Sequence, residues 1–173
     1  MALPYRAGGP TPLVLPQLRA LVRGYAAAVE SGTHPVTHDP ERRWYRRLLC
    51  DPYVDVWLIS WPRDTSTELH DHAGSLGALT VVRGTLTEHR WAYEEPGGGR
   101  MVGRELAAGR GAGFPLGHVH DVVNVHEEPA VSVHAYSPPL TAMSYYAVDE
   151  AGALRRTRSV LTDEPEPALE AVR

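Results

Sequence analysis

Residues 53–61 read YVDVWLISW, the first of seven short runs that are rich in β-branched and aromatic residues. The other six lie between clusters of Gly, Pro and Asp and read LGALTVVRG (76–84), TLTEHRWAY (85–93), VVNVH (122–126), AVSVHAYS (130–137), MSYYAV (143–148) and LRRTRSV (154–160). No long helical pattern interrupts them. Short strands at nearly regular spacing predict an all-β sandwich or barrel rather than a parallel α/β sheet.

Two helices are predicted before these strands. The first spans Gln17–Glu30, where apolar residues recur at helical spacing. The second opens at Asp39, an N-cap residue followed by Pro40, and is expected to run through Trp44 to Leu49. We therefore divide the chain into an N-terminal arm and helix (1–35), a β domain (36–162) and a flexible tail (163–173).

The composition argues against several classes of function. A formal net charge of -4 gives no basic field for nucleic acid, and the apolar runs are too short to cross a membrane. All 17 basic residues are Arg, which excludes a lysine Schiff base. The single cysteine, Cys50, and an N-terminus without the layout of a secretory signal lead us to expect a cytoplasmic protein.

Two histidine-containing segments suit a metal site. If residues 70–72 are extended, His70 and His72 point to the same face and grip a metal together. A second segment offers His118 and His120 after a turn rich in Gly and Pro. These two also share a face, so spacing alone leaves both open as the third ligand. The aspartate between His70 and His72 alternates away from that face.

These segments resemble the two motifs of the cupin fold. The second motif matches at every fixed position, namely Gly109, Pro115, Gly117, His120 and Asn124. The resemblance therefore implies His120 rather than His118 as a ligand, and a double-stranded antiparallel barrel capped by the N-terminal helix. The first motif is incomplete, because Asp64 stands for its leading glycine and Gly77 for its usual glutamate ligand.

Three histidines without a carboxylate resemble the thiol dioxygenases. Residues 128–140, EPAVSVHAYSPPL, are similar to the cysteine dioxygenase family within that group. This resemblance implies iron(II) bound by His70, His72 and His120. It also implies a hydrogen-bonded relay of Ser132, His134 and Tyr136 that ends at the iron, and a cis Ser137–Pro138 bond as in the arginine-type members.

The family's substrate-binding arginine lies in a Y-x-R pattern upstream of the first ligand. Residues 45–47, Tyr-Arg-Arg, supply that pattern with Arg47, whereas an alignment on Leu48 and Leu49 selects Arg46 instead. Guanidinium suits a substrate carboxylate because it donates two parallel hydrogen bonds. We expect Arg47 to hold the carboxylate, with Arg46 as the alternative.

One departure concerns a protein-derived cross-link. Mammalian family members carry a cysteine at the place of Gly77, joined to the tyrosine that Tyr136 matches. With Gly77 no thioether can form there, so the resemblance to bacterial members implies a free phenol. Cys50 is expected to be a small buried residue on the second helix, away from Tyr136.

The expected function is oxidation of the L-cysteine thiol to a sulfinate with O2. One alternative keeps the chemistry on another small thiol, 3-mercaptopropionate or ergothioneine. A second alternative is a non-catalytic cupin that senses a ligand or metal, since fold alone does not decide function. We expect a small thiol and O2 as partners, and no nucleic acid, membrane or obligate protein partner.

Overall fold

The computed structural model describes residues 12–94 and 98–165. One helix, α1 (Leu15–Glu30), precedes the strands in this part of the chain. The strands are β1 (Trp44–Cys50), β2 (Asp55–Trp61), β3 (Thr65–Ser66), β4 (His70–Asp71), β5 (Leu76–Arg83), β6 (Thr85–Glu94), β7 (Gly98–Ala107), β8 (Gly111–Phe114), β9 (His120–Asn124), β10 (Ala130–Ser137), β11 (Ala142–Val148) and β12 (Leu154–Leu161). The predicted first helix is confirmed, beginning two residues earlier than expected.

The strands form two sheets. The first has the order β1-β2-β10-β5-β8, and the second has the order β12-β11-β4-β9-β6-β7 with β3 paired to β9. Neighbouring strands run antiparallel throughout the described pairs. The all-β architecture with an N-terminal helical cap, predicted from the sequence, is therefore confirmed, with one of the two expected helices present in the described residues.

Two apolar clusters pack against opposite faces of the first sheet. Trp57, Ile59 and Trp61 alternate along β2 into the barrel interior, where Phe114 and Tyr136 join them. The intervening residues of β2 face α1 and pack against its apolar stripe. Because both faces of β2 and β10 are covered, these strands are buried along their whole length.

The predicted second helix is wrong, since Trp44–Cys50 is strand β1. Asp39 does accept hydrogen bonds from the backbone N–H groups of Glu41 and Arg42, as an N-cap would, but the turn does not continue as a helix. β1 instead pairs with the edge of β2. Its apolar residues divide between the two faces, with Tyr45 against the barrel interior and Trp44 on the side of α1.

The structure also bears on the predictions for Cys50, for the Ser137–Pro138 bond and for the two ends of the chain. Cys50 is exposed at the end of β1 rather than buried on a helix. The Ser137–Pro138 bond is cis, as the resemblance implied. Most of the expected N-terminal arm (1–11) and tail (166–173) lies outside the described residues. Among the residues that are described, no helix has the length and apolar character needed to span a membrane.

Candidate metal centre

Three histidine side chains meet inside the barrel. His70 on β4 pairs directly with His120 on β9, and His72 follows the end of β4. One ring nitrogen from each lies within 4.8 Å of the others, and all three residues are buried. The short β4–β9 pairing thus brings together two segments that are about fifty residues apart in the chain.

One ring nitrogen of each histidine faces the other two. His70 donates from Nδ1 to the Glu68 carbonyl at 2.7 Å, which leaves its Nε2 as an acceptor 3.2 Å from His72 Nε2. His120 Nε2 is buried without a hydrogen-bond partner among the described residues. An unpartnered His120 Nε2 beside a ring nitrogen of His70 and one of His72 is the arrangement that a single bound metal ion would satisfy. The residues present therefore fit a metal ion.

The electrostatics of the cluster favour neutral imidazoles. Burial lowers the pKa of His70 and His72 well below the usual value, and the neighbouring histidines lower both further. A neutral ring is the form in which histidine binds a metal. Within the described ranges, the group that these three nitrogens form contains no carboxylate oxygen, and glycine occupies position 77.

A buried carboxylate that sequence reasoning missed separates the roles of His118 and His120. Glu88 on β6 accepts hydrogen bonds at Oε1 from His118 Nε2 at 2.9 Å and from His120 Nδ1 at 3.0 Å. Its Oε2 pairs with Arg104 on β7. Burial would raise the pKa of Glu88, but the bonds from His118 and His120, with Arg104 nearby, hold it well below its usual range. His118 is thus engaged by Glu88, while His120 also turns a nitrogen toward His70 and His72.

Ser132, His134 and Tyr136 lie in line on the interior face of β10. Ser132 Oγ is 2.9 Å from His134 Nε2, and His134 Nδ1 is 3.4 Å from the Tyr136 hydroxyl. The Tyr136 ring centre is 4.7 Å from that of His72, so the line ends beside the three-histidine cluster. Burial lowers the pKa of His134 to about 3 and raises that of Tyr136, so both are neutral near pH 7.

The indole of Trp61 joins the Ser132 end of this line. Trp61 Nε1 donates to Ser132 Oγ at 2.8 Å, so the Ser132 hydroxyl is left with His134 Nε2 as its acceptor in the described structure. When Ser132 donates to His134 Nε2, His134 carries its proton on Nδ1 and can donate to the Tyr136 oxygen, and the Tyr136 O–H is then left to donate into the cluster.

The two predicted arginines lie on opposite faces of β1. Arg46 donates to the Pro35 carbonyl at 3.2 Å and stacks beside Trp44, away from the histidines. Arg47 shares the barrel-side face and lies over the Trp57 ring at 4.3 Å. Its Nη2 donates to the Asp163 carbonyl at 2.6 Å and to Asp163 Oδ2 at 3.0 Å. The structure thus does not bring Arg46 to the cluster, and Arg47 is held by the segment after β12.

A third arginine, Arg43, lies just before β1 and acts electrostatically on two of the interior histidines. Its guanidinium is 5.1 Å from the centre of the Trp61 ring, and burial lowers its pKa to about 10. The pKa values of His70 and His134 are lowered mainly by burial and next by His120. The positive charge of Arg43 lowers both pKa values further, by a smaller amount. Alternation along an extended 43–47 segment would have revealed its direction, but we had assigned that segment to a helix.

Gly77 lies against the ring of Tyr136. A Cβ at this position would be 3.1 and 3.2 Å from two Tyr136 ring carbons and 2.7 Å from Phe114. Cys50 ends β1 and pairs with Asp55, which in turn pairs with Tyr136. The one thiol of the chain is therefore on the outer strand, separated from Tyr136 by β2.

Comparisons with known proteins agree with this architecture. The family model for cysteine dioxygenase type I matches residues 15–149. Cysteine dioxygenase type 1 from Homo sapiens is 33% identical over a stretch that covers 55% of this chain and 52% of the human protein. The Rattus norvegicus protein is 32% identical with the same coverage. The chain thus spans about half the length of the curated relatives it matches.

Solved structures share the fold. An oxalate oxidase in complex with glycolate has a TM-score of 0.53 and 17% identity, covering 65% of this chain and 60% of that one. A conserved protein with a double-stranded β-helix domain from Klebsiella pneumoniae has a TM-score of 0.51 and 18% identity, covering 75% of this chain and 86% of that one. At this identity the likeness shows the double-stranded barrel of the cupin fold and nothing finer.

Proposed function

Because the chain belongs to the cysteine dioxygenase type I family, we propose that it is an iron(II)-dependent thiol dioxygenase acting on L-cysteine. The product is cysteine sulfinate, with both oxygen atoms from O2, so two S–O bonds form, the O–O bond breaks and the thiol proton is released. The observation that carries this proposal is the set of three neutral histidines, without a carboxylate, beside the Ser132–His134–Tyr136 line.

The proposed ligands of the iron are His70, His72 and His120. Three neutral ligands leave the charge of a divalent ion intact, which favours an anionic substrate over a neutral one. Iron(II), when bound, supplies the centre at which a thiolate and O2 react. The buried setting of the three rings, all under 5% exposed, keeps bulk water from competing there.

Tyr136 is the proposed proton-donating group beside the iron. Its phenol is neutral near pH 7 and its O–H has no other acceptor in the line from Ser132. The hydroxyl is therefore available to donate to the substrate carboxylate or to an oxygen atom of O2. His134 orients the phenol, and Ser132 with Trp61 fixes the proton position on His134.

Arg47 is the proposed receptor for the substrate carboxylate. It lies on the barrel-side face of β1 with Tyr45, the face toward Trp57 and the interior cluster. Its Nε is buried without a partner in the described part of the chain, so it has donor capacity left for a carboxylate. We propose a small thiol and O2 as the only reaction partners and the cytoplasm as the location.

The test is oxygen uptake by the iron-loaded protein with a panel of thiols. The panel contains L-cysteine, 3-mercaptopropionate, ergothioneine and cysteamine, and sulfinate is measured alongside O2. We expect cysteine to be preferred, with one sulfinate formed for each O2 consumed, and cysteamine to be poor because it lacks a carboxylate. A preference for another thiol would mean that this thiol, and not L-cysteine, is the substrate. No uptake with any thiol at full iron content would leave a binding protein.

A further inference from the structure

Among the described residues, Glu88 is a buried carboxylate that accepts a hydrogen bond from a candidate metal ligand, and the proposed reaction does not use it. Its side chain is fully buried in the middle of the second sheet, where it pairs in register with Arg104 on β7 and Val122 on β9. A carboxylate in such a place is costly unless it is paired and hydrogen-bonded. Here Arg104 and two histidines satisfy it.

The geometry at His120 determines which nitrogen carries its proton. Glu88 Oε1 can only accept, so His120 must donate from Nδ1 across the 3.0 Å contact. Its Nε2 is then the lone pair, and that is the buried nitrogen that lacks a partner in the described structure and faces His70 and His72. Without Glu88, nothing else among the described contacts of His120 would impose this tautomer.

His118 and Arg104 hold the carboxylate in place. His118 donates to the same Oε1 and stacks on Phe114, with ring centres 5.3 Å apart. Arg104 occupies the other oxygen. With both oxygens engaged, Glu88 has little freedom to turn away from His120.

We propose that Glu88 is a positioning residue of the metal centre, whose carboxylate holds His120 in the Nδ1–H tautomer and so presents Nε2 to a divalent metal. This inference rests on the proposed function for the identity of the site. A carboxylate on the outer nitrogen of a ligating histidine orients the ring and raises its basicity, and losing one typically costs 10- to 100-fold in metal affinity.

The test compares Co(II) binding by metal-free wild type and the Glu88→Gln variant, followed by visible absorption. The amide keeps the size of the side chain but carries no charge, and its NH2 group cannot accept from Arg104, so the oxygen that holds both histidines is no longer fixed from the other side. We expect the Co(II) dissociation constant to rise roughly 10- to 100-fold and the absorption bands to shift. Asp121→Asn is the matched control, because it removes a carboxylate that accepts from His89 Nδ1 at 2.8 Å on the same two strands and that makes no hydrogen bond to His120 in the described structure. It should bind Co(II) as the wild type does.

A second measurement needs no variant. Long-range ¹H–¹⁵N NMR correlations of the histidine rings in the full-length metal-free protein should show His120 protonated on Nδ1. Protonation on Nε2, or Co(II) affinity in folded Glu88→Gln within twofold of wild type, would overturn the role of Glu88 and leave the proposed function intact. Failure of the wild type to bind Co(II) or Fe(II) would overturn the metal site itself, and the proposed function with it.

Discussion

At the scale of single residues, His118 and His120 show how two rings with equivalent spacing acquire different roles. Both reach Glu88 Oε1, yet only His120 also belongs to the cluster with His70 and His72. We predict that His120→Ala loses bound iron and activity, as His70→Ala and His72→Ala do, while His118→Ala retains most of its iron. Iron content per protein after dialysis is the measurement. Iron loss in His118→Ala with retention in His120→Ala would shift the ligand assignment by two residues.

The phenol of Tyr136 offers a second residue-scale prediction. Its O–H is the free end of the line from Ser132, so removing it changes the reaction without changing the metal ligands. Tyr136→Phe should bind iron normally but lose 10²- to 10⁴-fold in turnover, or consume O2 without matching sulfinate, because a positioned proton donor contributes in that range. Oxygen uptake and sulfinate yield are measured together. An unchanged rate and yield would remove Tyr136 from the mechanism.

At the scale of elements, the alternation of β1 separates the two candidate arginines. Its alternation directs Arg47 to the barrel side and Arg46 to the side of Trp44. Arg47→Ala should lower kcat/KM for cysteine roughly 10- to 100-fold, since a charge-assisted hydrogen bond contributes about 1.5–3 kcal/mol, with iron content unchanged. Arg46→Ala is the matched control and should alter kcat/KM little. Steady-state kinetics of both variants is the measurement. An equal loss of kcat/KM in the two variants would argue that the two side chains do not point to opposite faces of β1.

β1 also shows a limit of predicting secondary structure from the sequence. The strands β2 and β10 were predictable because their apolar runs are long for a strand and buried on both faces. In β1, the spacing of Trp44 and Leu48 suits a helix as well as a strand, and pairing with β2 decided between them. β7, GGRMVGRELA, has weak strand character and forms through its ten-residue pairing with β6. Such choices depend on partners that are remote in the chain.

Some residues of the candidate site were predictable from the sequence, and others were not. His70 and His72 lie two residues apart, as do Ser132, His134 and Tyr136 along their segment. Strand geometry alone therefore predicted that the members of each set share a face. Glu88 was not recognised, although alternation along β6 puts it on the same face as buried Leu86. A polar residue on that apolar face was the signal that the sequence offered. The three partners of Glu88 come from β7, β9 and the turn before β9, and only the fold brings these segments together.

At the scale of the whole molecule, burying polar groups in the barrel interior affects stability. Asp55 on β2 is 1% exposed, and burial raises its pKa to about 6. A carboxyl whose folded-state pKa is raised stays protonated in the folded protein between about pH 4 and 6 while the unfolded chain ionises. It therefore destabilises the fold progressively as the pH rises through this window.

Asp55→Asn removes that titration and tests the account. The variant should gain stability relative to wild type as the pH rises from 4 to 7, by about 2–3 kcal/mol for a pKa raised by about two units. Urea unfolding of both proteins at each pH is the measurement, and the difference between their free energies of unfolding isolates Asp55 from the histidines. A difference that does not change with pH would mean that Asp55 keeps its ordinary pKa in the folded state.

The segment after β12 links the end of the chain to the proposed substrate receptor. Asp163 accepts from Arg47 Nη2, and Glu164 Oε2 accepts from the Tyr45 hydroxyl at 2.7 Å. Both residues of the Y-x-R pattern are thus engaged by carboxylates of the same chemical kind as that of the substrate. If Arg47 binds the substrate carboxylate, Asp163 competes for the same guanidinium.

Asp163→Asn should therefore lower the KM for cysteine while leaving kcat and iron content unchanged. The change should be no more than about fivefold, because ion pairs with an exposed carboxylate contribute little and are screened by salt. For the same reason, the difference between the two proteins should shrink at high ionic strength. Asp149→Asn is the control, since Asp149 pairs with Arg155 at 2.8 Å in the turn between β11 and β12. A higher KM in Asp163→Asn would mean that the segment holds Arg47 in position for the substrate instead of competing with it.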